Sequence, residues 1–299
     1  MNIAPIVLLT YNRPEHTRRT LEALLQNELC AESELYVFSD GWRTEEDRAA
    51  VLEVREQIAA LEGFKAVHMQ MNSGNVGLAA NVMEGVTQVV RQHGRVIVVE
   101  DDLIVSPTFL SFMNRALERY KDEERVGHVH GFCYPDMPGG DAYLIRWAGS
   151  WGWATWERAW EHFNADGEAL LSELKRRGLT KLFDFNGTYK YTRMLRRQIK
   201  GVNNSWAIRW YASLFLGDML ALNAGESLVQ NIGFDGSGTH SGDQEIFKAE
   251  LCTRELSVEV EVLEENAEVR QAFGCYYVEA NGFWAKVKRR VERHLKIKL

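Results

Sequence analysis

Three carboxylates, Glu100, Asp101 and Asp102, stand in a row in the stretch RVIVVEDDLIVSP, directly behind a run of β-branched residues. Adjacent like charges are stable in water or around a counter-ion; when buried they raise one another's pKa or recruit a cation. A strand running into adjacent aspartates suits a divalent ion held by hard oxygen ligands. Mg²⁺ or Mn²⁺ takes one or two carboxylates, with waters and substrate phosphates completing its shell. Such an ion neutralises a diphosphate leaving group, a contribution on the order of several kcal/mol. The same residues also fit a solvated acidic turn or a helix entry before Pro107, so the surrounding elements decide their meaning.

Those elements alternate. APIVLLT reads as a strand, ended by YNRP, where Pro14 suits the first turn of a helix over Glu15 to Gln26. ELYVFSD is a second strand, Glu45 to Leu61 a second helix, and FKAVHMQ a third strand. After the NSGNVG loop, Leu78 to Gln92 reads as a helix and RVIVVE as the fourth strand. Alternation of this kind predicts right-handed βαβ crossovers and a mostly parallel central sheet flanked by helices, an α/β fold. Ligands of such sheets gather beyond the carboxyl ends of the strands. Thr10, Asn12, Arg13, Asp40, Asn75 and the acidic trio are therefore expected to converge on one rim.

Bulk properties narrow the function. The chain has 299 residues, 45% hydrophobic and 26% charged, as in ordinary globular proteins. Its net charge of −7 argues against nucleic acid as a partner, since phosphate neutralisation needs a basic face. Cys30, Cys133, Cys252 and Cys275 show no CxxC or metal spacing and read as reduced thiols. With no signal peptide before the first strand and no apolar run near the roughly 20 residues of a membrane span, a cytoplasmic location is expected.

Four blocks in order, IVLLTYNRPEH, FSDG, NSGNVGLAANV and VVEDDLIVSPTFL, resemble the GT-A glycosyltransferases, which use nucleotide sugars and a DxD-type metal site. The last block is similar to the Glu-Asp-Asp motif of family-13 N-acetylglucosaminyltransferases. GSWGWATWERAW and NIGFDGSGTH resemble bacterial sequences grouped with family 2, and the likeness runs over residues 3 to 242. The resemblance implies the Rossmann-like nucleotide-diphospho-sugar transferase fold. It also implies Thr10, Asn12, Arg13 and Asp40 around the nucleoside, Asn75, Gly77 and Asn81 near the nucleotide, and Asp102 as direct ligand of Mn²⁺ or Mg²⁺. Asp101 and Glu100 would contact ribose or sugar, or orient water on the metal.

The Trp-rich stretch suits a sugar platform, because indoles offer apolar faces with N–H donors at their edges. Trp151 and Trp153, among glycines, and Trp206 are the candidates for donor or acceptor contact. Trp156 and Trp160, spaced i, i+4 on an expected helix, read as core. An inverting transfer needs a base for the acceptor hydroxyl. The family-13 pattern places an Asp where this chain reads NNSWAIRWY, which has none. Asp235 in the Gly-rich loop, then Asp218 and Asp243, remain as candidates, and stereochemistry stays open. His240 is similar to the histidine that ligates Mn²⁺ near the carboxyl end of many GT-A enzymes.

Residues 283–299 carry seven Lys/Arg against one Glu, with Trp284, Val287, Val291 and Leu295 on one helical stripe. This basic amphipathic helix suits an anionic membrane surface. The expected organisation is a single catalytic domain over 1–282, with a nucleotide-binding half (about 1–105) and an acceptor-binding half (about 106–282). The resemblance implies a metal-dependent glycosyltransferase moving a sugar, UDP being the favoured carrier, to a hydroxyl of a glycan or lipid-linked acceptor in surface polysaccharide synthesis. It would act at the inner face of the cytoplasmic membrane. The alternatives are a GT-A-like binding module without turnover and a sugar nucleotidyltransferase; the latter's long Gly-rich opening loop is missing here.

Overall fold

The computed structural model describes residues 2–135, 137–234 and 249–281. The first half alternates as its periodicity demands: β1 (Ile6–Thr10), α1 (Pro14–Leu25), β2 (Glu34–Ser39), α2 (Glu45–Ala59), β3 (Ala66–Met71), α3 (Leu78–His93) and β4 (Arg95–Glu100). These elements lie within two residues of the expected bounds at nearly every end. The second half begins with β5 (Leu103–Val105), α4 (Phe109–Arg119), β6 (Val126–His130), β7 (Ala142–Ile145) and β8 (Trp153–Trp156). It continues through α5 (Glu157–Trp160), α6 (Gly167–Arg176), α7 (Thr180–Phe183), α8 (Tyr191–Ile199) and α9 (Trp206–Leu216). It closes with β9 (Leu220–Ala224), β10 (Val229–Asn231) and α10 (Ala267–Asn281).

Among the described residues the main sheet has eight strands in the order β3-β2-β1-β4-β8-β6-β9-β7. The pairs β3–β2, β2–β1, β1–β4 and β6–β9 are parallel, whereas β8 runs antiparallel to β4 and β6, and β7 to β9. The expected α/β sheet is therefore present and mostly parallel, with two reversed strands in its second half. Because β6 and β9 point the same way as β1 to β4, their carboxyl ends share one rim.

β1 is buried along its whole length and serves both faces. Ile6 and Leu8 pack with Leu21 and Leu24 of α1 and Leu117 of α4. Val7 and Leu9 point the other way, onto Val82, Val86 and Val89 of α3. Period-two alternation between two apolar layers is what a strand covered on both sides requires. Each such side chain stabilises the fold by roughly 1.5–3 kcal/mol. Both layers draw residues from the two halves of the chain, from Ile6 to Val258 in one and from Val7 to Tyr277 in the other.

Trp156 departs from expectation, ending strand β8 rather than lying on a helix with Trp160. Both rings are buried, as the core reading required. The four cysteines carry free thiols, Cys275 alone being exposed. No helix among the described residues is long and apolar enough to cross a membrane. Residues 283–299, with their expected basic helix, lie outside the described residues.

Candidate active site

β1 delivers Thr10 to the rim, and the chain then turns through Tyr11, Asn12 and Arg13 into α1, with Pro14 at its first position. β4 delivers the acidic trio beside it, since Leu9 and Glu100 are partners in the β1–β4 register. The backbone N–H of Tyr11 donates to Asp101 Oδ2 at 3.1 Å. Arg13 Nη1 donates to Asp102 Oδ2 at 2.9 Å, and its Nη2 to the Gly233 carbonyl at 3.2 Å. Thr20 Oγ1 on α1 holds the Asp101 carbonyl at 2.9 Å. The β5–β10 pair brings the next segment over this corner, and Ile232 N–H donates to the Asp102 carbonyl at 2.8 Å. The acidic turn is thus pinned between α1 and the strand-β10 exit.

Two polar atoms in this corner stay unsatisfied. Asp102 Oδ1 and Thr10 Oγ1 are buried and have no hydrogen-bond partner among the described residues. A buried polar atom without a partner costs free energy comparable to a lost hydrogen bond, and such groups gather at functional sites. The carboxylates also perturb one another. Burial, then the charges of Asp102 and Asp101, pushes Glu100 well above the ordinary carboxylate range. Burial and the neighbouring Asp102 push Asp101 up to about 7. Asp102 is raised by burial, and the Arg13 guanidinium opposes the rise. Positive charge beyond that of Arg13 and the nearby His16 would favour the ionised form of all three.

The residues fit a divalent cation in that respect: a hard oxygen on Asp102 is unengaged, and a second carboxylate lies beside it. Among the described residues no three His, Cys, Asp or Glu side chains are placed to cage a metal. An ion here would complete its shell from groups outside this carboxylate set, water and substrate oxygens among them. His240, the other expected ligand, lies outside the described residues, as do Asp235 and Asp243.

The loops after β2 and β3 form the other side of the rim, and here the expected contacts are rearranged. Asp40 is buried, and both of its oxygens are engaged by the neighbouring loop. Val76 N–H donates to Oδ1 and Gly77 N–H to Oδ2, each at 2.9 Å, and Asn72 Nδ2 reaches Oδ1 at 3.3 Å. Asn81, also buried, accepts from Asn72 Nδ2 at 2.9 Å, and Asn75 Nδ2 donates to the Gly41 carbonyl at 3.0 Å. In this structure Asp40 and Asn81 shape the loop from within instead of presenting oxygens outward. Gly77 takes φ +83°, open to glycine at little cost, and starts α3. Gly41 meets Gly74 backbone to backbone; a Cβ on Gly41 would come within 2.5 Å of the Gly74 carbonyl carbon.

Asp47 was not anticipated. It accepts from Tyr11 Oη and Asn12 Nδ2, both at 2.8 Å, and closes a capping box with Thr44 at the start of α2. Asn12, expected at the nucleoside, is held by this junction. The tetrad Thr44-Glu45-Glu46-Asp47 carries the signal, a cap residue followed three positions later by an acid. Arg55, equally unanticipated, braces both loops through the carbonyls of Ser39, Asp40 and Asn72.

The second half supplies aromatic rings. Trp151 is half-buried at the rim, edge-on to Phe132 at 4.8 Å and to Phe234 at 5.5 Å. Trp153 and Trp206 correct the expectation of sugar contact. Trp153 is 0% exposed, and Trp206 stacks on it at 5.2 Å within the core. The cause is strand β8, which runs beside β4 and turns the indole under α9. Asp218 is corrected as a catalytic candidate as well. It precedes β9, so it stands on the rim opposite the acidic trio, where it pairs with Arg146 at 3.0 Å.

A family model described as glycosyltransferase like family 2 matches residues 4–158, just over half of the chain. No curated protein matches. Among solved structures, the mannosyltransferase PcManGT from Pyrobaculum calidifontis, in complex with GDP-Man and Mn²⁺, is 13% identical. That match has a TM-score of 0.41 and covers 72% of this chain and 69% of that one. TarS from S. aureus is 16% identical with a TM-score of 0.33, over 46% of this chain and 23% of its own length. The 1–349 form of TarS is 10% identical with a TM-score of 0.37, over 57% and 49%. The chain thus spans less than a quarter of the length of TarS. By the family match and the sheet that carries it, the chain belongs to the family-2-like glycosyltransferases and has their GT-A fold.

Proposed function

We propose that the chain transfers a sugar from a nucleoside diphosphate, UDP being favoured, to a hydroxyl of a glycan or lipid-linked acceptor in surface polysaccharide synthesis. The proposed catalytic unit is 1–282, working at the inner face of the cytoplasmic membrane. The observation that carries the reading is the buried Asp102 Oδ1, without a partner among the described residues, beside Asp101 on the carboxyl rim of the sheet. Asp102 would hold Mn²⁺ or Mg²⁺, with Asp101 and Glu100 shaping the ribose and sugar side. Bound there, the ion would offset the charge of the departing diphosphate.

The chain's own residues do the remaining work in this reading. Thr10 Oγ1 faces the same corner and offers a donor to the nucleotide. Asp40 and Asn72 hold the Asn75–Gly77 loop in place, which lets backbone approach the nucleotide where side chains would obstruct it. Trp151 presents a half-buried ring to the sugar. Of the proposed bases, Asp235 is preferred over Asp243, a choice made from its place in the Gly-rich loop of the sequence.

Incubation with UDP-, GDP- and dTDP-sugars and Mn²⁺ tests the reading. Release of free diphosphate by the wild type, lost in Asp102→Asn, is the expected result. Binding of a nucleotide sugar without any release would overturn transfer in favour of a binding module.

A further inference from the structure

We propose that the outward face of α8 docks on an anionic lipid membrane. Residues 175–200 hold nine Lys/Arg and one acid, Asp184, in a chain whose net charge is −7. Elsewhere on the surface several arginines are matched with acids, Arg18 with Glu15 and Glu22, Arg48 with Glu45, Arg119 with Glu259, and Arg125 with Glu123. Those without an acidic partner among the described residues, Arg19, Arg43 and Arg91, are scattered singly. Arg176 and Arg177, at the end of α6, share Glu173. On α8 the unpartnered cations are clustered. Arg193, Arg196, Arg197 and Lys200 are all exposed, and among the described residues none has an acidic partner. Asp184 is turned away from them, accepting from Thr192 N–H and Thr192 Oγ1 at 2.7 Å each.

The spacing i, i+3, i+4, i+7 puts these four cations on one stripe, opposite the buried Thr192 and Leu195. Like charges so arranged repel. The helix dipole favours Arg196 and Arg197 in the last turn, but it disfavours Arg193 near the start and Lys190 at the cap. Folding alone gives no reason for the stripe, whereas a negatively charged surface relieves the repulsion.

Beside the stripe are apolar side chains in the open. Met194 is 36% exposed and Val202, just beyond the helix, 57%. Cations flanked by outward apolar groups match the headgroup and acyl boundary of a lipid layer. A soluble polyanion would engage the charges and leave Met194 and Val202 in water. The inference uses no residue of the rim, so it stands or falls separately from sugar transfer.

The experiment is co-sedimentation of the full chain with phosphatidylcholine vesicles and with phosphatidylcholine–phosphatidylglycerol vesicles, and retention on immobilised polyphosphate. The wild type is expected to bind the anionic vesicles alone, and less as salt rises. The R193Q/R196Q/R197Q/K200Q variant is expected to bind them at least about tenfold more weakly. M194S/V202S is expected to weaken vesicle binding and leave polyphosphate retention unchanged. No wild-type binding would overturn the proposal, as would wild-type affinity in the quadruple variant, which would assign the binding to another segment. M194S/V202S binding vesicles as tightly as the wild type would overturn the lipid assignment in favour of a soluble polyanion.

Discussion

Arg13 and Asp102 form an ion pair across the rim, Nη1 to Oδ2 at 2.9 Å, while the other oxygen of Asp102 is buried without a partner among the described residues. One guanidinium therefore answers part of the negative charge of three adjacent carboxylates. In sequence the trio fits either a cation or a solvated acidic turn, the resemblance implies the cation, and an arginine in place of that cation would remove the reason for it. The structure gives Arg13 one oxygen and leaves the other unengaged, so the two partners can be told apart by experiment.

Arg13→Gln removes the guanidinium and leaves Asp102 uncompensated. Both side chains are mostly buried, 15% and 17% exposed, so the loss is expected to cost up to about 3 kcal/mol without metal. Mn²⁺ should then raise the Tm of the variant more than that of the wild type, because the ion replaces a missing charge. Differential scanning calorimetry with and without Mn²⁺ reads this directly. Equal increments in the two proteins would mean that the ion binds elsewhere.

Gly41→Ala places a Cβ 2.5 Å from the Gly74 backbone, where neither loop can yield through a flexible side chain. The expected cost is about 1–3 kcal/mol, the range of overpacking. The Asn75–Gly77 loop should also shift, raising the Kd for nucleotide. Chemical denaturation and nucleotide titration together check both effects. An unchanged denaturation midpoint would refute the close approach.

His130 tests the core of the second half. It is buried on β6 with Trp147 edge-on at 5.3 Å, and burial holds its pKa down to about 4 against a hydrogen bond to Asn223. His128 is likewise held well below the ordinary imidazole range, first by burial and then by His130. Unfolded, each takes up a proton near pH 6.5. Between about 6.5 and 4 the unfolded chain therefore binds more protons, and stability falls as pH falls, by up to about 1.4 kcal/mol per unit for each group. Asp101, pushed up to about 7, acts with the opposite sign over the same range. The difference between wild type and His130→Asn isolates the histidine. Urea midpoints for the variant should decline less steeply from pH 6.5 to 4; parallel curves would show that His130 is protonated in the native state.

The first half of the chain was legible because its signals are local. Apolar runs of strand length, a proline at the start of α1 and the glycines of the NSGNVG loop each act within a few residues, and topology then places the strand ends on one rim. The second half was harder to read for physical reasons. Trp151 and Trp153 share the same Gly-rich neighbourhood in sequence, yet one is half-buried at the rim and the other fully enclosed, a distinction made by the packing of α9 over β8. Asp218 stands behind Asp235 among the sequence candidates, and nothing local to it shows that the direction of β9 puts it on the far rim. Asp40 was legible as a strand-end acid, but its partners, Val76 and Gly77, sit more than thirty residues away along the chain.

Crystals grown with Mn²⁺ and UDP would show whether Asp102 holds a divalent ion against a diphosphate. An anomalous manganese peak is expected at roughly 2.1 Å from Asp102 Oδ1, with diphosphate oxygens completing the shell. A bound nucleotide with no manganese at Asp102, and Arg13 still paired to its carboxylate, would contradict it.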